Sequence, residues 1–227
     1  MKISVITACF NSEETVGECL QSVADQDYDQ VEHILIDGGS TDNTHKIIKN
    51  FHNPALRSFS ESDKGLYDAL NNGIEYSTGD LIGFLHSDDF FQHKRVLREI
   101  VEIIKKTGKD GVYGDLEYVR RDDCNKTVRI WKAGAYKREN LKRGWMPPHP
   151  TLYLKRSIYE RYGGFDTRLK ISADYDFMLR VLNEQDTQLS YLPDMFLKMR
   201  NGGMSNKSIK NIIRKSKEDL QAMKNNG

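Results

Sequence analysis

The first half of the chain alternates short apolar runs with stretches in which apolar residues recur every three or four positions. The runs at 3–8, 31–36 and 81–85 predict strands, and a shorter strand is expected at 57–60. The stretches between them predict helices through the apolar residues Val16, Cys19, Leu20 and Val23, then Ile47, Ile48 and Phe51, then Leu66, Tyr67, Ala69, Leu70 and Ile74. This β-α-β-α order is typical of a parallel sheet with right-handed crossovers.

The second half of the chain carries a different pattern. Apolar residues at helical spacing predict an amphipathic helix from Val96 to Ile104 that ends near Gly108. Two apolar runs at 112–115 and 128–131 flank a polar turn at 120–126, which predicts paired strands in a smaller mixed or antiparallel half. We therefore expect an α/β fold with a Rossmann-like, mostly parallel sheet. A single domain would span 1–204, with halves at about 1–110 and 111–204.

Composition narrows the class of protein. The 227 residues carry a net charge of +1, which argues against nucleic-acid binding through a global basic field. The three cysteines, Cys9, Cys19 and Cys124, have no zinc-site spacing and no disulfide framework, so a reducing cytoplasm is expected. No apolar stretch approaches the ~20 residues of a membrane span. We expect a soluble cytoplasmic protein, or one peripheral to the inner face of the cytoplasmic membrane.

The segment 205–227 predicts a basic C-terminal helix. Its basic residues outnumber its two acids, Glu218 and Asp219, and they are Lys207, Lys210, Arg214, Lys215, Lys217 and Lys224. One side is apolar and carries Ile209, Ile212, Ile213 and Leu220. Two interpretations stay open: a helix packed on the domain with a solvated basic face, or a helix that touches an anionic membrane surface.

The most informative stretch ends the run 81–85 with His86, Ser87, Asp88 and Asp89. In open α/β sheets, ligands bind at the carboxyl ends of strands, where these side chains would emerge. Two adjacent carboxylates repel each other, and hard oxygen ligands favour Mg²⁺ or Mn²⁺, so a divalent metal site is one interpretation. The other is that the two aspartates cap a helix that begins near His93.

Other predicted strand ends carry polar residues too: Thr7 and Asn11, the run Asp37-Gly38-Gly39-Ser40, and Asp63-Lys64-Gly65 before the third helix. Taken in order with Ser87-Asp88-Asp89, these segments resemble the family 2 glycosyltransferases of the GT-A fold, over about 2–176, and especially the bacterial enzymes that assemble surface polysaccharide. The resemblance implies a nucleotide-diphospho-sugar site at Thr7, Asn11, Asp37, Asp63, Lys64 and Asp88. It also implies that Asp37 contacts the base and that Asp88 and Asp89 hold the ribose and a divalent metal.

The chain departs from the family at several positions. His86 stands where an acid or Asn is usual, so it is a weak metal-ligand candidate that could instead contact a phosphate or fill space. Gly38 replaces the second acid of the common Asp-Asp-Gly-Ser form, which leaves Asp37 as the sole base-reading carboxylate. Ala173 replaces the Glu that usually precedes the general base in the family.

The resemblance also implies an acceptor side. By position, Asp174 is the general base, and Asp176 is the reserve candidate. Trp145 and His149 lie in a loop stiffened by three prolines, where they could face the sugar, the phosphates or the acceptor. Each of these side chains also has an ordinary structural interpretation, such as helix capping or packing.

The expected activity is an inverting, metal-dependent transfer of a sugar from a nucleotide-diphospho-sugar, with UDP as the expected nucleotide, to an acceptor hydroxyl of a saccharide or lipid-linked saccharide. Two alternatives stay open. One is a non-catalytic nucleotide-sugar-binding or scaffold protein, which the substitutions at His86 and Ala173 would allow. The other is a sugar-phosphate nucleotidyltransferase, although the segment after the first strand lacks the glycine and basic residues expected of one. A P-loop ATPase is excluded because the chain lacks the Gly-x-x-x-x-Gly-Lys-Ser/Thr motif.

Overall fold

The computed structural model describes residues 1–141, 144–183, 186–202 and 209–226. Nine strands within these residues form one sheet: β1 Ile3–Cys9, β2 Val31–Asp37, β3 Leu56–Ser60, β4 Leu81–Phe84, β5 Phe90–Phe91, β6 Gly111–Val119, β7 Thr127–Trp131, β8 Tyr153–Lys155 and β9 Leu189–Arg200. The helices are α1 Val16–Ala24, α2 Thr44–Asn50, α3 Leu66–Tyr76, α4 Val96–Thr107, α5 Arg138–Leu141, α6 Arg156–Tyr162, α7 Ala173–Leu182 and α8 Ile209–Asn226, with a 3₁₀ turn at His149–Thr151.

The amino-terminal half is the parallel sheet that the pattern predicts. Strands β3, β2, β1 and β4 are neighbours in that order, and each pair is parallel. Cys9 at the end of β1 pairs with Asp37 at the end of β2, and Ile6 pairs with Phe84 near the end of β4. The carboxyl ends of these strands therefore open at one edge of the sheet.

The carboxyl-terminal half is mixed, as expected, but two details differ from the predictions. Strand β4 was expected within parallel neighbours, yet its second neighbour β8 runs antiparallel to it, so β4 is the boundary between the halves. Strand β6 is longer than the predicted run 112–115, and β7 pairs with its far end, 116–119. Its near end pairs with β8 at Gly111 and Val112, and β9 pairs with β6 in parallel from Gly111 to Val119.

The parallel strands do not alternate between apolar and polar residues, because apolar side chains are packed on both faces of the sheet. On β1, Ile3 and Val5 pack with Ile100 of α4 on one face, whereas Ile6 packs with Leu70 of α3 on the other. A strand covered on both faces is apolar at successive positions, because neither face meets water. The glycine that ends α4, Gly108, has the left-handed φ of 69° typical of a helix terminus.

Two further expectations can be checked against the helix positions. Helix α4 begins only at Val96, and strand β5 lies between it and the two aspartates, so the interpretation of Asp88 and Asp89 as its cap is wrong. Helix α8 packs against α7 with Ala222 fully buried, which favours the packed interpretation of the basic helix. The predicted positions Ser205 and Lys207 lie outside the described residues.

Candidate active site

A cleft of about 1420 Å³ opens at the carboxyl edge of the parallel strands. Both halves of the sheet and helix α8 contribute to its walls. Of the predicted site residues, those that line it are Asn11, Asp63, His86, Asp88, Trp145, His149 and Asp174. Those that do not are Thr7, Asp37, Lys64, Asp89 and Asp176.

The two adjacent aspartates after β4 have different surroundings. Asp88 is half-buried and faces the cleft, with Arg121 Nη1 at 4.0 Å from its Oδ2. Asp89 is fully buried, and its Oδ1 accepts a hydrogen bond from the backbone N–H of Arg200 at 3.1 Å. Its Oδ2 is buried without a hydrogen-bond donor among the described residues. Burial, and then the charge of Asp88, raise the pKa of Asp89 well above its ordinary value.

This arrangement fits a divalent cation. An unpartnered, buried carboxylate oxygen beside a second carboxylate is a hard oxygen site of the kind that Mg²⁺ and Mn²⁺ prefer. Arg200 of β9 holds the turn that carries the two aspartates. Its buried guanidinium donates to the backbone oxygen of Asp88 and to the carboxylate of Glu18. The Arg200 guanidinium also lies 5.0 Å from the ring centroid of Phe90. No pattern in the sequence pointed to Arg200, which is far along the chain.

His86 belongs to a different part of the cleft. Within the described chain, it does not form a cluster of ligand atoms with Asp88 and Asp89, so the structure does not support it as a third metal ligand. Its ring centroid lies 6.3 Å from that of His149, which stacks on Phe84 at 5.1 Å. Burial, and then the nearby His86, lower the pKa of His149 to about 3, so His149 is neutral. Its Nε2 has no partner among the described residues.

One cluster among the described residues does bring metal-type ligand atoms together, away from the cleft. His93, Glu99 and Asp194 offer atoms that lie within 4.8 Å of one another. The backbone N–H of Arg95 donates to His93 Nδ1 at 3.3 Å, so in the neutral ring the proton is on Nε2, which lies 3.4 Å from an Asp194 oxygen. Hydrogen bonding accounts for this cluster without a metal.

The acid that ends β2 and the acid that follows β3 were both predicted to bind the nucleotide sugar, and they have different surroundings. Asp37 is buried, and its carboxylate accepts hydrogen bonds from the N–H and hydroxyl of Ser40 and from the hydroxyl of Ser60. A Cβ at Gly38 would lie 2.4 Å from Asp63 Oδ2, so the Asp63 carboxylate fills the space that a side chain at position 38 would need. Asp63 lines the cleft. Asp37 is thus bonded within its loop, whereas Asp63 lies at the cleft wall, and their roles toward a ligand stay predictions.

The remaining predicted donor residues differ in position. Asn11 lines the cleft with a left-handed φ of 47°, and its Oδ1 accepts from the N–H of Thr41 at 2.9 Å, which fixes the neighbouring loop. Thr7 is fully buried and donates to the Leu85 carbonyl at 2.8 Å, so it is a core residue. The Lys64 side chain is exposed and does not line the cleft.

Asp174, in the first turn of α7, has the environment of a general base. Its Oδ1 accepts hydrogen bonds from the Tyr67 hydroxyl at 3.1 Å and from the N–H of Tyr175 at 2.9 Å. No described residue donates a hydrogen bond to Oδ2. Burial raises the pKa of Asp174, and the hydrogen bonds and the nearby charges of His86 and Lys215 oppose that rise. Sequence analysis missed Tyr67 in this role, because its spacing marks it only as an apolar residue of α3.

Asp176, the predicted reserve base, makes structural contacts and does not line the cleft, which favours Asp174 over it. Its carboxylate is buried and accepts from Arg180 Nε at 3.0 Å and from Asn226 Nδ2 at 3.0 Å. Residues two positions apart in a helix point to different sides of it, so Asp174 faces the cleft and Asp176 faces α8.

Trp145 lines the cleft, and its Nε1 donates to the Ala133 carbonyl at 3.1 Å.

The mixed α/β sheet, with a cleft at the carboxyl ends of its parallel strands, is the GT-A fold of glycosyltransferases that use nucleotide sugars. The chain belongs to glycosyl transferase family 2, whose model matches residues 4–163. This confirms the family and the fold that the motifs predict.

Several relatives are bacterial glycosyltransferases. An uncharacterized glycosyltransferase of Mycobacterium tuberculosis is 34% identical over 180 residues, which cover 78% of this chain and 68% of that protein. A PGL/p-HBAD biosynthesis glycosyltransferase of Mycobacterium bovis is 27% identical over 208 residues, which cover 89% of this chain and 78% of that protein.

Two solved structures share the fold. The Staphylococcus aureus protein TarS, solved in complex with UDP, gives a TM-score of 0.72 at 22% identity, over 88% of this chain and 60% of that one. A mannosyltransferase from Pyrobaculum calidifontis, in complex with GDP-Man and Mn²⁺, gives 0.71 at 18% identity, over 97% of this chain and 62% of that one. The chain thus spans about 60% of the length of the TarS structure. No helix in the described parts of the chain is long and apolar enough to cross a membrane.

Proposed function

We propose that this protein is an inverting, metal-dependent glycosyltransferase that moves a hexosyl or N-acetylhexosaminyl group from a UDP-sugar to an acceptor hydroxyl in polysaccharide or glycolipid assembly. The observation that carries the proposal is the single cleft shared by Asp88, at the end of β4, and Asp174, at the start of α7. One acid belongs to the donor half of the sheet and the other to the acceptor half. Their shared cleft supports a two-substrate reaction between them.

On the donor side, Asn11 and Asp63 line the part of the cleft in which the nucleotide would bind. Asp88 would contact the ribose, and Asp88 and Asp89 would hold Mn²⁺ or Mg²⁺. When bound, such a cation neutralises negative charge on the departing diphosphate. The buried Arg200 keeps the two aspartates in place, so the site is preorganised before a donor arrives.

On the acceptor side, Asp174 would take the proton of the acceptor hydroxyl. The hydroxyl oxygen then forms a bond to the anomeric carbon, while the bond from that carbon to the diphosphate oxygen breaks. Its electron pair leaves with the nucleoside diphosphate, so a single displacement inverts the anomeric carbon. His149 is neutral, and its unpartnered Nε2 can hydrogen-bond a sugar or phosphate group in the cleft. Trp145 would supply an aromatic wall.

The relatives support the donor and the metal. One TarS structure contains UDP and another contains UDP-GlcNAc, whereas the archaeal mannosyltransferase structure contains GDP-Man with Mn²⁺. The mycobacterial relative is named for PGL/p-HBAD biosynthesis. We favour UDP because the TarS structures were solved with it.

The outer face of α8 supports peripheral membrane contact. Ile212, Ile213 and Leu220 are 49%, 52% and 58% exposed. Around them lie the exposed basic residues Lys210, Arg214, Lys217 and Lys224. A face of this composition favours an anionic lipid surface, where a lipid-linked acceptor would be found. Sedimentation with phosphatidylglycerol vesicles, but not with phosphatidylcholine vesicles, would support this contact, and Leu220→Ser should weaken it.

The transferase itself is tested by measuring UDP release from UDP-glucose, UDP-galactose and UDP-N-acetylglucosamine, with Mn²⁺ and a panel of saccharide acceptors. We expect release with one donor, and we expect EDTA to abolish it. UDP binding without release from any donor would instead favour the non-catalytic nucleotide-binding protein.

A further inference from the structure

The segment that carries Asp174 lacks a cap of its own. Ser172 precedes α7 in the N-cap position, but its side chain makes no capping hydrogen bond to the helix. Its hydroxyl lies 3.4 Å from the Lys215 carbonyl of α8 instead. A helix start without its own cap depends on other groups to satisfy and orient the backbone.

A residue of α8 supplies that support. One carboxylate oxygen of Glu218, Oε2, accepts three backbone hydrogen bonds, from Lys170 at 3.1 Å, Ile171 at 2.8 Å and Ser172 at 3.1 Å. Successive N–H groups that converge on one anion form a nest, which fixes the backbone tightly. The negative charge also lies near the start of α7, where the helix dipole favours it.

The same segment is held from the other side by α3. The Tyr67 hydroxyl lies 2.7 Å from the Ile171 carbonyl and 3.1 Å from Asp174 Oδ1. The hydroxyl has one proton, which these two acceptors share. Ile171 is therefore held through its N–H by Glu218, and Tyr67 links its carbonyl to the Asp174 carboxylate. The direction in which the Asp174 carboxylate enters the cleft depends on both contacts.

Hydrogen bonds at the end of α8 hold the helix in the position that the contact of Glu218 with residues 170–172 requires. Asn226 Nδ2 donates to Asp176, and Asn183 Nδ2 donates to the Asn226 carbonyl at 2.6 Å. Ala222 is fully buried between these contacts and Glu218. On the neighbouring turn, Lys215 and Asp219 form a salt bridge of 2.6 Å, and both line the cleft.

We infer that Glu218 is a positioning residue for the reaction, which holds residues 170–172 so that Asp174 meets the acceptor hydroxyl. The inference rests on the proposed function of Asp174 as the general base. It gives α8, which lies beyond the matched family segment, a part in the active site. The charged and titratable groups that face Asp174 are Tyr67 of α3, His86 after β4, and Lys215 of α8.

The test compares Glu218→Ala and Glu218→Gln with Gln221→Ala, a control on the exposed side of the same helix. We expect Glu218→Ala to lower kcat about tenfold or more, with the donor KM nearly unchanged, because a small misplacement of a catalytic group is costly. Glu218→Gln should restore much of kcat, since its amide oxygen can still accept the backbone hydrogen bonds. Gln221→Ala should match the wild type.

Hydrogen–deuterium exchange gives a readout that needs no turnover. The amides of 170–172 should lose protection in Glu218→Ala and keep it in Gln221→Ala. Should Glu218→Ala fail to fold, Glu218→Asp carries the test, because it keeps the charge but is one methylene too short to reach the three amides.

Wild-type kcat or unchanged amide protection in Glu218→Ala, or in Glu218→Asp where it takes the place of that variant, would overturn the inference. That result differs from a failure of the proposed function, in which the wild type itself would not turn over or Asp174→Asn would stay active.

Discussion

The two halves of the cleft treat their polar side chains in opposite ways. In the donor half, two of the predicted ligand-binding residues bond to neighbouring loop residues: Asp37 to Ser40 and Ser60, and Asn11 to Thr41. In the acceptor half, the buried Nε2 of His149 has no partner among the described residues, and the hydrogen bonds that Asp174 accepts are made by its Oδ1. In the donor half, the Oδ2 of Asp89 is likewise buried without a partner among the described residues, at the proposed metal position.

This difference separates side chains that shape the loops of the cleft from polar atoms that are left for a ligand. Side chains that satisfy one another build a rigid loop, which presents backbone and a few carboxylates to a ligand at little entropic cost. An unpaired buried polar atom is costly, so it persists where a ligand or a reacting group completes it. In the proposed function, the metal completes the unpaired atom of Asp89, and a sugar or phosphate group completes that of His149.

The largest expected effect separates two acids of one helix. Asp174→Asn should lower kcat by about 10²–10⁴-fold, because it removes the general base. Asp176→Asn should lower Tm, since it weakens the buried contact with Arg180, yet keep kcat within about threefold. Steady-state kinetics and thermal unfolding of both variants measure this. Equal loss of activity in the two variants would contradict the assignment of Asp174 as the reacting acid and Asp176 as a structural one.

A smaller effect is expected in the donor half. Gly38→Asp restores the residue usual in the family, but its Cβ would lie 2.4 Å from Asp63 Oδ2. Displacement of Asp63 should weaken UDP binding by about tenfold, or 1.4 kcal/mol. Gly17→Ala is the control, because its nearest contact would be Ile47 at 3.8 Å. Calorimetry compares the two; UDP affinity that is unchanged in Gly38→Asp would show that Asp63 does not read the donor.

A pH effect of a few-fold is expected at Tyr67. Its hydroxyl donates to Asp174 and favours the charged carboxylate, which opposes the rise in pKa that burial causes. Tyr67→Phe keeps the ring but removes that bond, so the pKa of Asp174 should rise further. The base works deprotonated, so the acid limb of the kcat profile should move to higher pH, with activity recovered at alkaline pH. A shift toward lower pH would contradict the assignment of Asp174.

The smallest effect concerns stability alone. Glu32 lies far from the chemistry, and although burial opposes its ionisation, hydrogen bonds from Lys2, Ser4 and Thr78 lower its pKa to about 2. A lowered folded-state pKa stabilises the protein above the unfolded value, about 4.5, and that stabilisation disappears as pH falls toward 2. Glu32→Gln should therefore cost about 1–2 kcal/mol at neutral pH and less near pH 3. Urea unfolding at both pH values, with kcat as the unaffected control, measures it.

Much of the donor half could be predicted because its information is local. Each parallel strand is a short apolar run, and each run ends in the polar residues that line or support the cleft. The order of those motifs identified the family. Sequence could not show that Asp63 lines the cleft while Asp37 is buried, because the position of Asp63 depends on the space over Gly38.

The acceptor half depends on contacts between distant residues. Tyr67 and Asp174 are 107 positions apart, and Arg200 and Asp89 are 111 positions apart. Asp174 and Asp176 are equally acidic in the sequence, and only the packing of α8 against α7 assigns one to the cleft and the other to Arg180. Spacing along one chain does not encode those partners.

The central claim is that one cleft binds the nucleotide through its donor half and performs the chemistry through its acceptor half. Isothermal titration of UDP, with and without Mn²⁺, on the wild type, Asp89→Asn and Asp174→Asn tests it most directly. The account predicts Mn²⁺-dependent binding that Asp89→Asn loses and Asp174→Asn retains. Binding that Asp174→Asn loses, or that Asp89→Asn retains with its full dependence on Mn²⁺, would contradict it.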